Sequence, residues 1–129
     1  MLAVDTNILI RFFTYDEPSQ AARAMALLRS NEIWISKTVL LETEWVLRRS
    51  YGFPRERLID VLRQLARSTN VFLEEPLNVW QALDWFAAGF DFADALHVAS
   101  SGKSERFVTF DEKLVRRAKG RANVEVTRI

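Results

Sequence analysis

Short apolar runs alternate along the chain with longer segments in which apolar residues recur every three or four positions. The short runs are typical of strands, and the longer segments are typical of amphipathic helices. The expected strands cover residues 2–4, 33–35, 71–73, 106–109 and 123–127. Because strands and helices alternate, the pattern predicts an α/β fold with a mostly parallel sheet covered by helices on both faces.

Residues that begin and end helices support this division of the chain. Thr6 or Asn7 is expected to cap the helix that follows the first strand. Ser36 or Thr38 is expected to cap a later helix, which Gly52 ends. The remaining long helices are expected to begin near a proline or an aspartate, at Pro18, Pro54, Pro76 and Asp91.

The composition is that of a chain able to bury a core of its own. Of its 129 residues, 49% are hydrophobic and 12% aromatic, which predicts a single domain over residues 1–129. The chain has no cysteine, so disulfides and thiolate metal ligands are excluded. No apolar run approaches the roughly 20 residues of a membrane-spanning helix, and the N-terminus does not resemble a signal peptide. We therefore expect a cytoplasmic protein without membrane association.

The net charge of +1 neither supports nor excludes a nucleic-acid partner, but the basic residues are partly segregated along the chain. Each basic residue in the two clusters is either an ordinary solvated side chain or a contact for phosphate groups. The middle cluster contains Arg48, Arg49, Arg55, Arg57, Arg63 and Arg67, and the late cluster contains Arg116, Arg117, Lys119 and Arg121.

Two carboxylates follow predicted strands. Asp5 comes directly after the first strand, and Asp111 comes two residues after the strand at 106–109. Ligands of open parallel sheets bind outside the carboxyl ends of the strands, so both side chains are expected at the same edge. Whether their strands are neighbours is not readable from the sequence.

Two further acids lie on predicted helices. Asp94 falls in the first turn of the helix that Asp91 begins, where it either complements the helix dipole or joins the site. Glu42 lies about one turn into its helix and competes with Glu44, which projects from nearly the opposite side. Taken alone, Glu42 is most simply a solvated helical residue.

Acids gathered at one sheet edge repel one another, and a hard divalent cation relieves that repulsion. Oxygen ligands suit Mg²⁺ or Mn²⁺ best. Zinc is disfavoured, because the chain has one histidine and no thiol. That histidine, His97, is three residues after Asp94, and we expect it to be packed and hydrogen-bonded rather than a ligand.

Four segments that contain these acids resemble, in order and spacing, the motifs of PIN-domain nucleases. The second segment has its acid three residues before Trp45, and this register selects Glu42 over Glu44. The segments are LAVDTNIL at 2–9, VLLETEWVL at 39–47, DFADALHVA at 91–99 and FVTFD at 107–111. The chain is most similar to VapC-type toxins of toxin–antitoxin pairs.

The resemblance implies a three-layer α/β/α sandwich and metal-dependent cleavage of RNA. It implies that Asp5 and Asp94 are the principal metal ligands and that Glu42 and Asp111 complete the catalytic set. Asp91 is either an additional acid at the rim of the acidic pocket or only the cap of its helix. The residues expected to orient the carboxylates or a water are Thr6, Asn7 and Thr109.

The resemblance also implies partners. A toxin of this type is restrained by a VapB-type antitoxin protein, and homodimers are expected. The apolar residues of the helix after Pro54 either line a groove for the antitoxin or belong to the core. They are Leu58, Val61, Leu62 and Leu65.

Two other functions compete with a nuclease. An aspartate-nucleophile phosphatase also places an aspartate after its first strand, but such enzymes usually need a second acid where this chain has Asn7. A binding module that retained the fold without catalysis is the other alternative. Against it, all four acids are present, although degenerate relatives tend to lose them.

Overall fold

The strands of the protein are short, and all of their pairings are parallel. The computed structural model describes residues 1–129, which form two compact units, Met1–Pro76 and Leu77–Ile129. In the first unit the strand order is β1-β2-β3, and in the second β4 pairs with β5. The strands are β1 Leu2–Ala3, β2 Ile33–Ile35, β3 Val71–Leu73, β4 Arg106–Thr109 and β5 Glu125–Arg128.

Helices occupy most of the chain between the strands. This order of elements confirms the predicted α/β class with parallel strands. None of the helices is both long and apolar enough to span a membrane. The helices are α1 Thr6–Thr14, α2 Pro18–Ser30, α3 Lys37–Tyr51, α4 Arg55–Arg67, α5 Pro76–Ala87, α6 Phe92–Ala99 and α7 Glu112–Ala118.

The central strand of the first unit alternates between buried and exposed side chains, because successive residues point to opposite faces of the sheet. Ile33 and Ile35 are fully buried, whereas Trp34 between them is exposed. A short apolar run such as that at residues 2–4 predicts a buried strand, and for β1 this prediction was wrong, because Leu2 is 42% exposed. β1 lies at the edge of its sheet and is only two residues long, so it has a neighbouring strand on one side alone.

The core of the first unit is built by helices that pack on one another and on the strands. α1 packs against α2 and α3, and α4 packs against α3 and β3. Leu58 and Leu62 of α4 are each 1% exposed, so these two belong to the core rather than to an open groove for a partner. Val61 is half-buried.

Local capping decides where most helices begin and end. Ser36 accepts a hydrogen bond from the backbone of Val39 and caps α3, and Gly52 ends that helix in the left-handed conformation at φ 66°, as predicted. The prediction for α1 was wrong, because its cap is Asp5 rather than Thr6 or Asn7. An aspartate is as good a cap as a serine, and here the helix begins one residue earlier than the polarity pattern indicated.

The second unit is held together by aromatic contacts around α5 and α6. The rings of Trp85 and Phe90 stack with centroids 5.5 Å apart, and those of Phe86 and Phe92 lie 5.3 Å apart. α6 buries most of its apolar residues, and its N-terminal residues are thereby held in a fixed position.

Candidate functional site

Asp5 lies two residues after β1 and caps α1. Its Oδ1 accepts a hydrogen bond from the backbone N–H of Ile8 at 3.2 Å, and the residue is exposed. A capping carboxylate that uses one oxygen for the backbone keeps its other oxygen for a ligand. The capping hydrogen bond therefore orients the carboxylate of Asp5 and uses only one of its two oxygens.

A hydroxyl joins the first helix to the third. Thr6, which is only 7% exposed, donates a hydrogen bond from its Oγ1 to Oε1 of Glu42 on α3. The packing of α1 on α3 makes this contact possible across 36 positions of the chain. Glu42 is otherwise exposed, and it is tied to the residue that follows Asp5.

The two competing glutamates have different surroundings. Glu44 is only 2% exposed, and its Oε2 accepts a hydrogen bond from Nε of Arg48 at 2.8 Å, one turn along α3. Its charge is therefore compensated inside the unit. Glu42 has no ion pair, and its partner is the neutral hydroxyl of Thr6.

Two of the acids in the second unit are also helix caps. Asp91 caps α6 and accepts a hydrogen bond from the backbone N–H of Asp94 at 3.1 Å, as predicted. Asp111 caps α7, where one oxygen accepts from the backbone of Lys113 at 2.9 Å and of Leu114 at 3.2 Å. These caps hold both carboxylates at the N-termini of helices, where the backbone favours negative charge.

Thr109, at the end of β4, contacts the same turn. Its Oγ1 accepts a hydrogen bond from the backbone N–H of Asp111 at 3.0 Å. The strand end and the helix start are thereby joined over three residues. This contact orients the backbone of Asp111 and leaves its carboxylate to the cap of α7.

Asp94 is the strained member of the acidic group in the second unit. Burial raises the pKa of its half-buried carboxyl, and the negative charges of Asp91 and Asp111 raise it further. His97 and Arg117 act in the opposite direction and lower the pKa of Asp94. Asp91 and Asp111 therefore lie close enough to Asp94 to affect its charge. The sequence did not indicate that Arg117 would also act on Asp94.

The prediction of a packed His97 was wrong. The side chain is exposed, while its neighbours Leu96 and Val98 are buried. α6 turns its apolar face to the core, and position 97 faces away from it.

The chemistry of these donors suits a hard cation better than a soft one. All are carboxylate oxygens, with hydroxyl or backbone groups beside them. No group of three or more histidine and acidic side chains is arranged to hold a metal ion by itself. Oxygen donors of this kind are the ligands that Mg²⁺ and other hard divalent cations prefer.

A cavity of about 500 Å³ lies beside Asp5 in the first unit. Asn7 of α1 lines it, as do three residues that sequence reasoning did not select: Arg11, Gln20 and Arg23. The available signal was the spacing of Asn7 and Arg11, four residues apart on one face of α1. The sequence did not indicate that α2 would pack against that face of α1.

The order of carboxylates along the chain agrees with a known family. The sequence model of the PIN domain family matches residues 2–120. The chain belongs to the PIN domain family. PIN domains generally act as metal-dependent nucleases, and PIN nucleases act on RNA. A comparison with curated protein sequences found no match.

Membership of the PIN family confirms the predicted fold and favours a nuclease over an aspartate-nucleophile phosphatase. The match crosses both compact units, Met1–Pro76 and Leu77–Ile129. The expectation of one domain over residues 1–129 stays a prediction.

Proposed function

We propose that this PIN domain is a magnesium-dependent endoribonuclease and the toxin of a toxin–antitoxin pair. The observation that supports the nuclease activity is the half-buried carboxyl of Asp94, whose pKa is raised by burial and then by the negative charges of Asp91 and Asp111. A fold that places like charges together gives up stability, and a divalent cation would restore it. The family supplies the reaction class, metal-dependent RNA cleavage.

We assign metal binding to Asp5 and Asp94, as the resemblance of their motifs implies. When bound, Mg²⁺ (or Mn²⁺) would make a water more acidic and offset the negative charge of the phosphate. Glu42 and Asp111 complete the catalytic set. Of these, Glu42 is exposed and held by one hydroxyl, so it is suited to orient the attacking water and accept its proton.

Several neighbouring contacts prepare these side chains. The caps of α1, α6 and α7 fix Asp5, Asp91 and Asp111 through backbone N–H groups before any ligand binds. Thr6 restrains Glu42, and Thr109 restrains the turn that carries Asp111. Groups held in this way lose little entropy when substrate and metal arrive.

The proposed reaction is a hydrolysis. The water oxygen attacks phosphorus, the bond from phosphorus to the 3′ oxygen breaks, and a proton reaches that oxygen. The products are a 5′-phosphate and a 3′-hydroxyl. Because the 2′-hydroxyl of RNA takes no part, discrimination against DNA must arise in binding.

The toxin role is supported by the resemblance of the four motifs to VapC-type toxins. It requires a VapB-type antitoxin that binds this chain, and we further propose a homodimer. Coexpression with the product of an adjacent reading frame tests the first partner, since the antitoxin should copurify and suppress cleavage. Light scattering of the purified chain tests the second.

Cleavage of structured RNA tests the nuclease assignment. The wild-type protein should cut in Mg²⁺ and stop in chelator, and the Asp5→Asn, Asp94→Asn double variant should lose at least about a hundredfold in rate. Matched controls are Glu32→Gln and Glu105→Gln, exposed acids just before β2 and β4, at the opposite ends of strands. Cleavage that persists in the double variant would contradict the assignment.

A further inference from the structure

The cavity beside Asp5 combines an acid with two arginines and two amides. It lies between α1 and α2, and the side chains of Asn7, Arg11, Gln20 and Arg23 line it together with Asp5. Its volume, about 500 Å³, falls within the roughly 300–1,000 Å³ that is usual for ligand pockets. A space of this size takes one unit of a polymer or one side chain of a partner.

Arg11 is held in place by three side chains. Its Nε donates to Oε1 of Gln20 at 2.7 Å, and its Nη1 donates to Oδ1 of Asp16 at 3.2 Å and to the hydroxyl of Tyr51 at 3.4 Å. The Nη2 group donates to no protein atom. A guanidinium held on one side has donors left for an incoming anion and loses little entropy on binding.

The residues that hold Arg11 are themselves held. The Tyr51 hydroxyl donates to Oδ2 of Asp16, and that of Thr14 donates to Oδ1 at 3.1 Å. The hydrogen bond from Tyr51 is the main cause that lowers the pKa of Asp16, so its carboxylate stays charged beside Arg11. This arrangement joins the end of α1, the turn after it and the end of α3.

Arg23 supplies a second positive charge without a protein partner. It lies on α2, is exposed and forms no ion pair. Because Asp16 already compensates the charge of Arg11, the positive charge of the cavity that has no ion-pair partner is that of Arg23. An anion is therefore attracted to the end of the cavity where Arg23 lies.

We propose that this cavity binds a phosphodiester group of the RNA substrate that is adjacent to the scissile phosphodiester. Arg11 and Arg23 would contact the oxygens of this neighbouring group. The position of the cavity favours RNA, because it begins at Asp5, a member of the proposed catalytic set. Planar guanidinium donors match the oxygens of a phosphate, as they also match those of a carboxylate. The proposal rests on the proposed nuclease function, because it takes Asp5 to mark the reacting phosphate.

The test compares Arg23→Ala with Arg29→Ala. Arg29 is an exposed arginine of the same helix that does not line this cavity, so it is a matched control. Binding of a fluorescein-labelled single-stranded RNA is followed by anisotropy in chelator across a series of salt concentrations. Loss of one phosphate contact should weaken binding about three- to tenfold and reduce the slope of log affinity against log salt by about 0.7. Arg29→Ala should retain both values.

Arg11→Lys provides a second variant, since it keeps the charge but loses the planar fork. Under cleavage conditions Arg11→Lys and Arg23→Ala should raise KM and leave kcat nearly unchanged, because the contact is the same in substrate and transition state. Thermal unfolding of each variant checks that the fold is retained.

The outcomes separate this inference from the nuclease assignment. Wild-type binding that depends on Arg23 supports the cavity, even if Mg²⁺ elicits no cleavage and the proposed function fails. Equal affinities and salt slopes for Arg23→Ala and Arg29→Ala overturn it, as does wild-type protein that binds no RNA. An acidic peptide of equal charge is also tested as a competitor of the labelled RNA. If it displaces the labelled RNA as well as unlabelled RNA does, the cavity is assigned to a protein partner and the proposal is overturned.

Discussion

The acids of the two compact units are held in opposite ways. In the first unit a neutral hydroxyl donates to Glu42, and the buried Glu44 is neutralised by Arg48. In the second unit burial and the negative charges of Asp91 and Asp111 raise the pKa of Asp94, whose carboxylate accepts no hydrogen bond from the protein. The first unit satisfies its acids, whereas the second leaves one of them under electrostatic strain.

This contrast separates two uses of a carboxylate. A group that orients a water needs a fixed position, which a single donor such as Thr6 supplies. A group that binds a cation must instead gain free energy when the cation arrives, so the absence of a protein donor at Asp94 is an advantage. The strain of Asp94 then becomes part of the binding free energy.

The largest expected effect is on the rate of cleavage, and it should distinguish Glu42 from Glu44. We expect Glu42→Gln to lower kcat by about a hundredfold or more, since positioned acids and bases contribute on this scale. Glu44→Gln should leave cleavage near the wild-type rate and lower the free energy of unfolding by about 1 kcal/mol, because Arg48 is exposed enough to regain water. Cleavage kinetics and urea unfolding measure the two effects, and the opposite pattern would exchange the assignments.

An intermediate effect should follow from removing the hydroxyl of Thr6. Thr6→Val preserves shape, so we expect a loss of about 1 kcal/mol in stability and about tenfold in kcat as Glu42 becomes mobile. Thr43→Val is the control, because its buried hydroxyl donates only to the backbone of Val39. It should cost similar stability and leave kcat unchanged. Equal kcat values for the two variants would remove Thr6 from the mechanism.

The smallest effect is a gain of stability in Asp94→Asn. The pKa of Asp94 is raised in the folded protein, so the native state holds its proton more tightly than the unfolded chain. Wild-type stability from this group therefore falls as the pH rises from 3.8, the ordinary pKa of an aspartate, through the raised pKa of Asp94. Without metal, Asp94→Asn should be more stable at neutral pH by a few tenths to about 1 kcal/mol, with no such advantage below the ordinary pKa.

Thermal unfolding as a function of pH measures this difference, and added Mg²⁺ should reverse it. The ion should stabilise the wild-type protein more than Asp94→Asn. Asp84→Asn is a control on α5 in the same unit. A stability difference that does not change with pH would refute the electrostatic strain at Asp94.

The elements of this fold were largely predictable because their signals are local. The apolar runs at 33–35 and 71–73, the cap at Ser36 and the stop at Gly52 depend on residues within one turn of each other. The error at the start of α1 arose because two local signals competed. Asp5 and Thr6 are both good caps, and the sequence does not show which of them the helix will use.

The candidate site was predictable only in part. Asp5 and Asp111 were found from their positions after strands, and Asp91 from its capping position, whereas the choice of Glu42 over Glu44 depended on a family motif. The exposure of His97 was missed, because a single residue on a short helix gives no reliable indication of which way it faces.

By itself, the sequence determined the order of strands and helices and the placement of acids at strand ends and helix starts, since both depend on neighbouring residues. Only the tertiary structure decided that Thr6 would bind Glu42, that Glu44 would be buried with Arg48, and that α1 and α2 would enclose the cavity beside Asp5. The first and third of these depend on the packing of segments far apart in the chain, and the second on which face of α3 that packing buries. No local pattern encodes such packing.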